Sequence, residues 1–294
     1  MTTAAARNGA LMTVASMMSV QLGAALAVKL MDGIGPAGVS LLRLAWAGAL
    51  MLLFVRPRPA SFTRSAFVSC VMLGVATAGF TLLFMFAVSR IPLGTASALE
   101  YLGPLAIAVT QGRGRGRWLF PAMAGTGVVL LTEPWAAAVD PVGVLAALGS
   151  AVCLGAYILL TQRVGDEVTG ITGLAVSMPV AGLVVTMVAG PSVIGHLTPH
   201  LLIAGLGLAI LLPVIPFTLE MLALQRVTAA AFGTLMSLEP AFAMLLGLLI
   251  LHQVPGLAAL AGIGLVVLAG IGAARAGARP AAESGHREPA LVIE

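Results

Sequence analysis

Residues 85–104 read MFAVSRIPLGTASALEYLGP, and residues 221–240 read MLALQRVTAAAFGTLMSLEP. Shifted by 136, the stretches agree at Met85, Ala87, Arg90, Leu99, Leu102 and Pro104. These fall on Met221, Ala223, Arg226, Leu235, Leu238 and Pro240. Composition bias among Ala- and Leu-rich runs produces some matches, but a shared arginine and a shared proline are harder to obtain that way. Nearer the start, Leu22-Gly23-Ala24 recurs as Leu154-Gly155-Ala156, at an offset of 132. The chain reads as one unit used twice.

The unit is a set of apolar runs. Of the 294 residues, 60% are hydrophobic and 9% charged, and the mean hydropathy is +1.07. A soluble domain carries about 25% charged residues, so this chain could not cover a water-facing surface. A soluble enzyme is excluded, as are disorder and a disulfide scaffold. The two cysteines, Cys70 and Cys153, sit in apolar runs and read as small hydrophobes. The runs are continuous over about twenty residues, the length a helix needs to cross a bilayer. They lack the period-two alternation of a membrane barrel.

Ten such runs are expected, at 9–31, 37–55, 66–88, 93–110, 118–134, 143–162, 171–190, 200–223, 228–250 and 255–274. The expected fold is all-α and integral to the membrane: ten transmembrane helices as two five-helix halves, 9–134 and 143–274. The polar, Pro/Gly-containing tail 275–294 is expected to be disordered and cytoplasmic. With the N-terminus in the cytoplasm, twelve of the fifteen Lys and Arg fall on the cytoplasmic side. Only Arg90 falls outside, and Lys29 and Arg43 lie within spans. This is a strong positive-inside signal, and it puts both termini in the cytoplasm. An odd number of spans per half inverts the second half, so Arg90 lies outside and Arg226 inside. Inverted repeats recur in secondary transporters, with the substrate near the midplane between halves. The run Gly112-Arg113-Gly114-Arg115-Gly116-Arg117 resembles a nucleic-acid-binding tract. It reads instead as a cytoplasmic loop, too short for much phosphate contact.

Five ionisable residues fall within spans: Lys29, Arg43, Glu100, Glu220 and Glu239. Each costs about 2.5–3.5 kcal/mol at a helix centre on insertion scales, so each is a candidate for substrate binding or coupling. Lys29 lies near the outer end of its helix, where snorkelling competes with function. Glu220 lies near an inner helix end, where solvation competes. Arg43 and Glu100 lie at equal depth, roughly 10 Å down, with opposite sign, and suit a pair that is either structural or functional. Glu239 lies near the midplane and reaches neither face. Pro240 follows it directly, and Pro104 follows Glu100 by four; each removes a backbone donor and marks a candidate helix break. Tyr101 and Tyr157 are buried phenols that need partners.

Three segments carry a closer resemblance: Pro92–Ala106 (PLGTASALEYLGPLA), Pro216–Leu224 (PFTLEMLAL) and Arg226–Ala241 (RVTAAAFGTLMSLEPA), with Leu42-Arg43-Leu44 beside them. Over about residues 10–274 the chain resembles the drug/metabolite transporter superfamily, with two EamA-type repeats. Within it the segments are similar to the threonine/homoserine exporters of the bacterial inner membrane. One departure is Leu154, where those exporters carry a tryptophan. The resemblance implies a multi-pass inner-membrane secondary transporter that exports small amino acids from the cytoplasm, with protons as the coupling partner. Its alternative is an exporter of drugs, purines or other metabolites. An enzyme is not expected: no HExxH, no GxSxG and no paired intramembrane aspartates occur. No metal, no cofactor and no nucleic acid are expected, and the expected partners are a small amino-acid substrate, protons and the lipid bilayer.

Overall fold

The computed structural model of the protein describes residues 3–56, 62–111, 118–132, 140–168, 172–216, 219, 223 and 235–276. Among these the chain is helical and carries no strand. In chain order the helices are α1 (Thr3–Val55), α2 (Arg64–Val88), α3 (Leu93–Glu100), α4 (Leu102–Gln111) and α5 (Leu119–Thr132). They continue as α6 (Pro141–Glu167), α7 (Leu174–Val193), α8 (Pro199–Ala209), α9 (Glu239–Leu251) and α10 (Leu257–Ala276). The segments Arg7–Val55, Arg64–Val88, Pro141–Thr161 and Leu174–His196 are long and apolar enough to cross a membrane. Leu119–Leu131, Pro199–Leu212, Glu239–Leu251 and Leu257–Gly272 are shorter apolar helices.

These helices depart from ten separate spans in three places. The expected spans 9–31 and 37–55 belong to one helix, α1, whose legs meet without a loop. Gly35, at φ 68° and ψ 175°, is the single non-helical residue between them. Only glycine takes that conformation without a Cβ clash, and Pro36 opens the second leg with the fixed φ that suits a first helical turn. The expected span 93–110 is divided at Tyr101 into α3 and α4. The expected span 228–250 is described from residue 235 on, with helical residues 235–236, a turn at Ser237 and Leu238, and then α9. The tail beyond residue 276 and Glu220 lie outside the described residues.

Both breaks are where the prolines predict them. Pro104 and Pro240 each stand in the first turn of the helix that follows, where a backbone N–H has no intrahelical partner. The two turns also correspond under the 136-residue shift, because Tyr101 maps onto Ser237. Across the first break the backbone ladder continues, with Tyr101 N donating to Ser97 O and Leu105 N to Tyr101 O.

Small residues let these helices touch. A Cβ on Gly127 would lie 2.7 Å from the Gly262 carbonyl oxygen, and one on Gly262 would lie 2.7 Å from that of Gly127. The α5–α10 crossing is therefore backbone on backbone, the close packing that drives helix association in lipid. A Cβ on Gly103 would collide with the Ala151 carbonyl oxygen, which holds α4 against α6. The outer faces are apolar: Phe54 is 77% exposed, Val152 74% and Met187 72%.

The end of α8 is loosened into a π turn, Ile210–Val214, containing Pro213. The first leg of α1 meets carbonyls in and just beyond it: Ser19 Oγ donates to Leu211 O at 2.7 Å, and Ser16 Oγ to Pro216 O at 3.4 Å. Irregular backbone at membrane depth needs such internal partners. The turn places Leu212 against Gly23 and on the wall of a central cavity.

Candidate functional site

The cavity measures about 150 Å³ and lies where α1, α2, α3, α6 and α9 converge. That is room for several waters or one small metabolite. Both legs of α1 reach it, through Gln21 and Arg43. α2 contributes Phe80, Thr81 and Phe84; α3 contributes Ser97 and Glu100, with Tyr101 just beyond it. Leu154, Leu212 and Glu239 complete the polar and apolar wall. A bundle that is apolar outside thus collects a guanidinium and two carboxylates around one internal space.

The two carboxylates are held by neutral partners. Gln21 Nε2 donates to Glu239 Oε1 at 3.1 Å. Ser150 Oγ lies 2.5 Å from Glu100 Oε1 and 3.0 Å from the Phe80 carbonyl oxygen. One hydroxyl carries one proton. With Glu100 ionised, Ser150 donates to it; with Glu100 protonated, the carboxyl donates to Ser150, which then donates to Phe80 O. A primary amide is similarly ambivalent, since it can turn its N–H₂ or its oxygen toward Glu239. Either carboxyl can therefore gain or lose a proton without losing its partner.

Glu239 opens α9, in its first turn, and negative charge is favoured at a helix N-terminus. Arg43 and Glu100 share the cavity. Among the described residues the ion pairs within 4.0 Å are Arg90–Asp140 and Arg163–Glu167, so the expected Arg43–Glu100 pair is not closed. Arg43 Nε is buried without a hydrogen-bond partner. The Tyr101 phenol hydrogen-bonds Ser237, its counterpart under the 136-residue shift.

Other expected residues fall elsewhere. Lys29 is exposed and is not on the cavity wall. Tyr157 stands one layer behind it, edge-on to Phe80 with ring centroids 5.4 Å apart. Glu220 lies outside the described residues. Reading only for ionisable and aromatic residues missed Gln21, Thr81 and Ser150. A glutamine in the apolar run around Gln21 was the one usable signal, because a buried amide must find partners.

The family model of the EamA-like transporter family matches residues 141–274. The chain is similar to the threonine/homoserine exporter RhtA of Escherichia coli strain K12, 36% identical over 242 residues, which are 81% of each chain. It is similar to the threonine/homoserine exporter RhtA of Salmonella typhimurium strain LT2 at 35% identity, again over 81% of each chain. A protein solved by crystallography shares the fold, with a TM-score of 0.62 and 19% identity, over 94% of this chain and 99% of that one.

Proposed function

This chain belongs to the EamA-like transporter family, and from that premise we propose that it exports small amino acids of the threonine/homoserine kind from the cytoplasm in exchange for protons. Family membership makes it a small-molecule exporter of the inner membrane and not an enzyme. The observation that carries the finer reading is the wall of the cavity, where Arg43, Glu100 and Glu239 face one internal space. An amino-acid zwitterion needs a donor for its carboxylate and an acceptor for its ammonium. Arg43 supplies the first and Glu239 the second, through charge-assisted bonds.

Coupling follows from competition for one carboxylate. A carboxylate at membrane depth is costly when charged and unpaired, so Glu239 carries either the substrate ammonium or a proton. Binding substrate from the cytoplasm displaces the proton, and the return step needs a new one from outside. Glu100, with Ser150 beside it, is a second acid able to take part in the relay. Lys29, exposed and away from the cavity wall, has a peripheral role.

The ten spans form two inverted halves, 9–134 and 143–274, with both termini and the tail 275–294 in the cytoplasm. The corresponding breaks at Tyr101 and Ser237 support the repeat, and the match over 141–274 coincides closely with the second half. Alternating access is then a rocking of one half against the other about the cavity.

Reconstituted protein tests the proposal. Proteoliposomes loaded with radiolabelled threonine or homoserine should release them faster when the external medium is acidified. Indifference to every amino acid, with drugs or purines carried instead, would overturn it. A reporter active only outside the cytoplasm, fused after Arg275, should be silent.

A further inference from the structure

Three of the buried polar atoms without a hydrogen-bond partner belong to residues on the cavity wall: Arg43 Nε, Gln21 Oε1 and Thr81 Oγ1. The first is a cation and suits the substrate carboxylate. The other two are neutral, on residues that are 2% and 1% exposed, and the amino-acid-binding reading above leaves them unused.

Their state is set by their surroundings. An ionised Glu239 only accepts, so it fixes the Gln21 amide with its N–H₂ toward the carboxylate. The amide oxygen is then left over as an acceptor. Thr81, like Thr161 away from the cavity, departs from the usual bonding of a helical threonine. Thr13, Thr77, Thr126 and Thr186 each donate to the carbonyl four residues back in their own helix. Thr81, one turn beyond Thr77 on α2, makes no such bond. Its hydroxyl is therefore left able both to donate and to accept.

We propose that Gln21 and Thr81 form a neutral subsite that recognises the side-chain hydroxyl of the substrate. This rests on the reading of the cavity as an amino-acid site and adds its specificity to it. A neutral acceptor beside a donor–acceptor hydroxyl matches an alcohol, while the charged groups of the cavity take the ammonium and carboxylate. A substrate without the hydroxyl leaves both side chains desolvated and unpaired, and that penalty is what rejects it. The transporter should therefore select hydroxylated small amino acids over analogues of the same backbone.

The test is a matched set. Threonine and homoserine both become 2-aminobutyrate when the hydroxyl is removed. In proteoliposomes the parental protein should favour either hydroxylated compound over 2-aminobutyrate by about a hundredfold or more in kcat/KM, the direction set by sites that bind a substrate hydroxyl. Thr81→Val, which keeps the shape, should cut that ratio at least tenfold by loss on the hydroxylated substrate alone. Flux of 2-aminobutyrate should be retained, and Thr81→Ser should restore the ratio. Thr81 Oγ1 loses no partner when removed, so the variant should melt no lower than the parent. Gln21→Leu should also cut the ratio; if loss of its bond to Glu239 prevents insertion, the Thr81 series decides alone. A parental ratio retained in Thr81→Val, or a parent that does not discriminate, overturns the subsite while leaving amino-acid export standing. A parent that moves none of the three compounds overturns both.

Discussion

The two interrupted helices correspond under the 136-residue shift, yet they carry their carboxylates differently. In the first, Glu100 ends α3, and the position three residues later, Gly103, is where α6 closes in on the backbone. In the second, the counterpart of Gly103 is Glu239, and the counterpart of Glu100 is Met236. One break has thus been used for packing and the other for charge. Each half supplies one acid to the same cavity, but from opposite ends of its helix: Glu100 at a C-terminus, partnered by Ser150, and Glu239 at an N-terminus, partnered by Gln21. The two corresponding segments thus carry different chemistry.

The largest effect should follow from disturbing the packing break. Gly103→Val places side-chain atoms against the Ala151 carbonyl, and overpacking of this kind costs about 3 kcal/mol. The variant should accumulate poorly and melt well below the parent in detergent. Normal melting would mean that α4 and α6 can separate cheaply. Next in size is Ser150→Ala, which strips Glu100 of its hydroxyl partner. A hydrogen bond to a charged group is worth about 1.5–3 kcal/mol, so thermal stability should drop measurably, while Met236→Ala, at the counterpart of Glu100, should leave Glu239 binding intact. The prolines rank below both. Pro104→Ala and Pro240→Ala return a donor to the first turn of the following helix, and each should change stability by less than about 1 kcal/mol. A much larger loss at either would show that proline holds that break open.

The smallest effect lies outside the cavity. Arg90 Nη1 contacts Asp140 Oδ2 at 2.8 Å, joining the end of α2 to the start of α6. The guanidinium holds the Asp140 carboxyl below its ordinary value, with help from the backbone N–H of Val142. A carboxyl lowered in the folded state contributes stability above the ordinary aspartate range and loses it as pH falls through the lowered value. Arg90 is exposed and Asp140 is half-buried near the surface, so Arg90→Gln should barely shift the melt at neutral pH. The small difference between parent and variant should vanish in acid, which a melting series across pH measures.

Much of this was legible in the sequence because charge stands out in an apolar run. Arg43, Glu100 and Glu239 needed no structure to be singled out, and Pro104 and Pro240 located the breaks to within a turn. What depth cannot give is direction around the helix. Lys29 is on an exposed face and Tyr157 sits behind Phe80, though both lie in spans like those of the cavity residues. Neutral polar residues were hidden for another reason. Thr77 and Thr81 look alike in sequence, but one returns its proton to its own helix and the other faces the cavity. The division between 9–31 and 37–55 falls at Gly35-Pro36. Its closure into two legs without a loop depended on a single positive φ that composition does not reveal.

The proposed exchange of substrate for protons at Glu239 is tested by removing its titration. Glu239→Gln keeps size and hydrogen bonding and removes titration. In proteoliposomes with an acidic exterior, the variant should lose gradient-driven efflux of threonine or homoserine while retaining exchange at equal pH. Gradient-driven efflux at the parental rate would contradict the account and move the coupling group to Glu100.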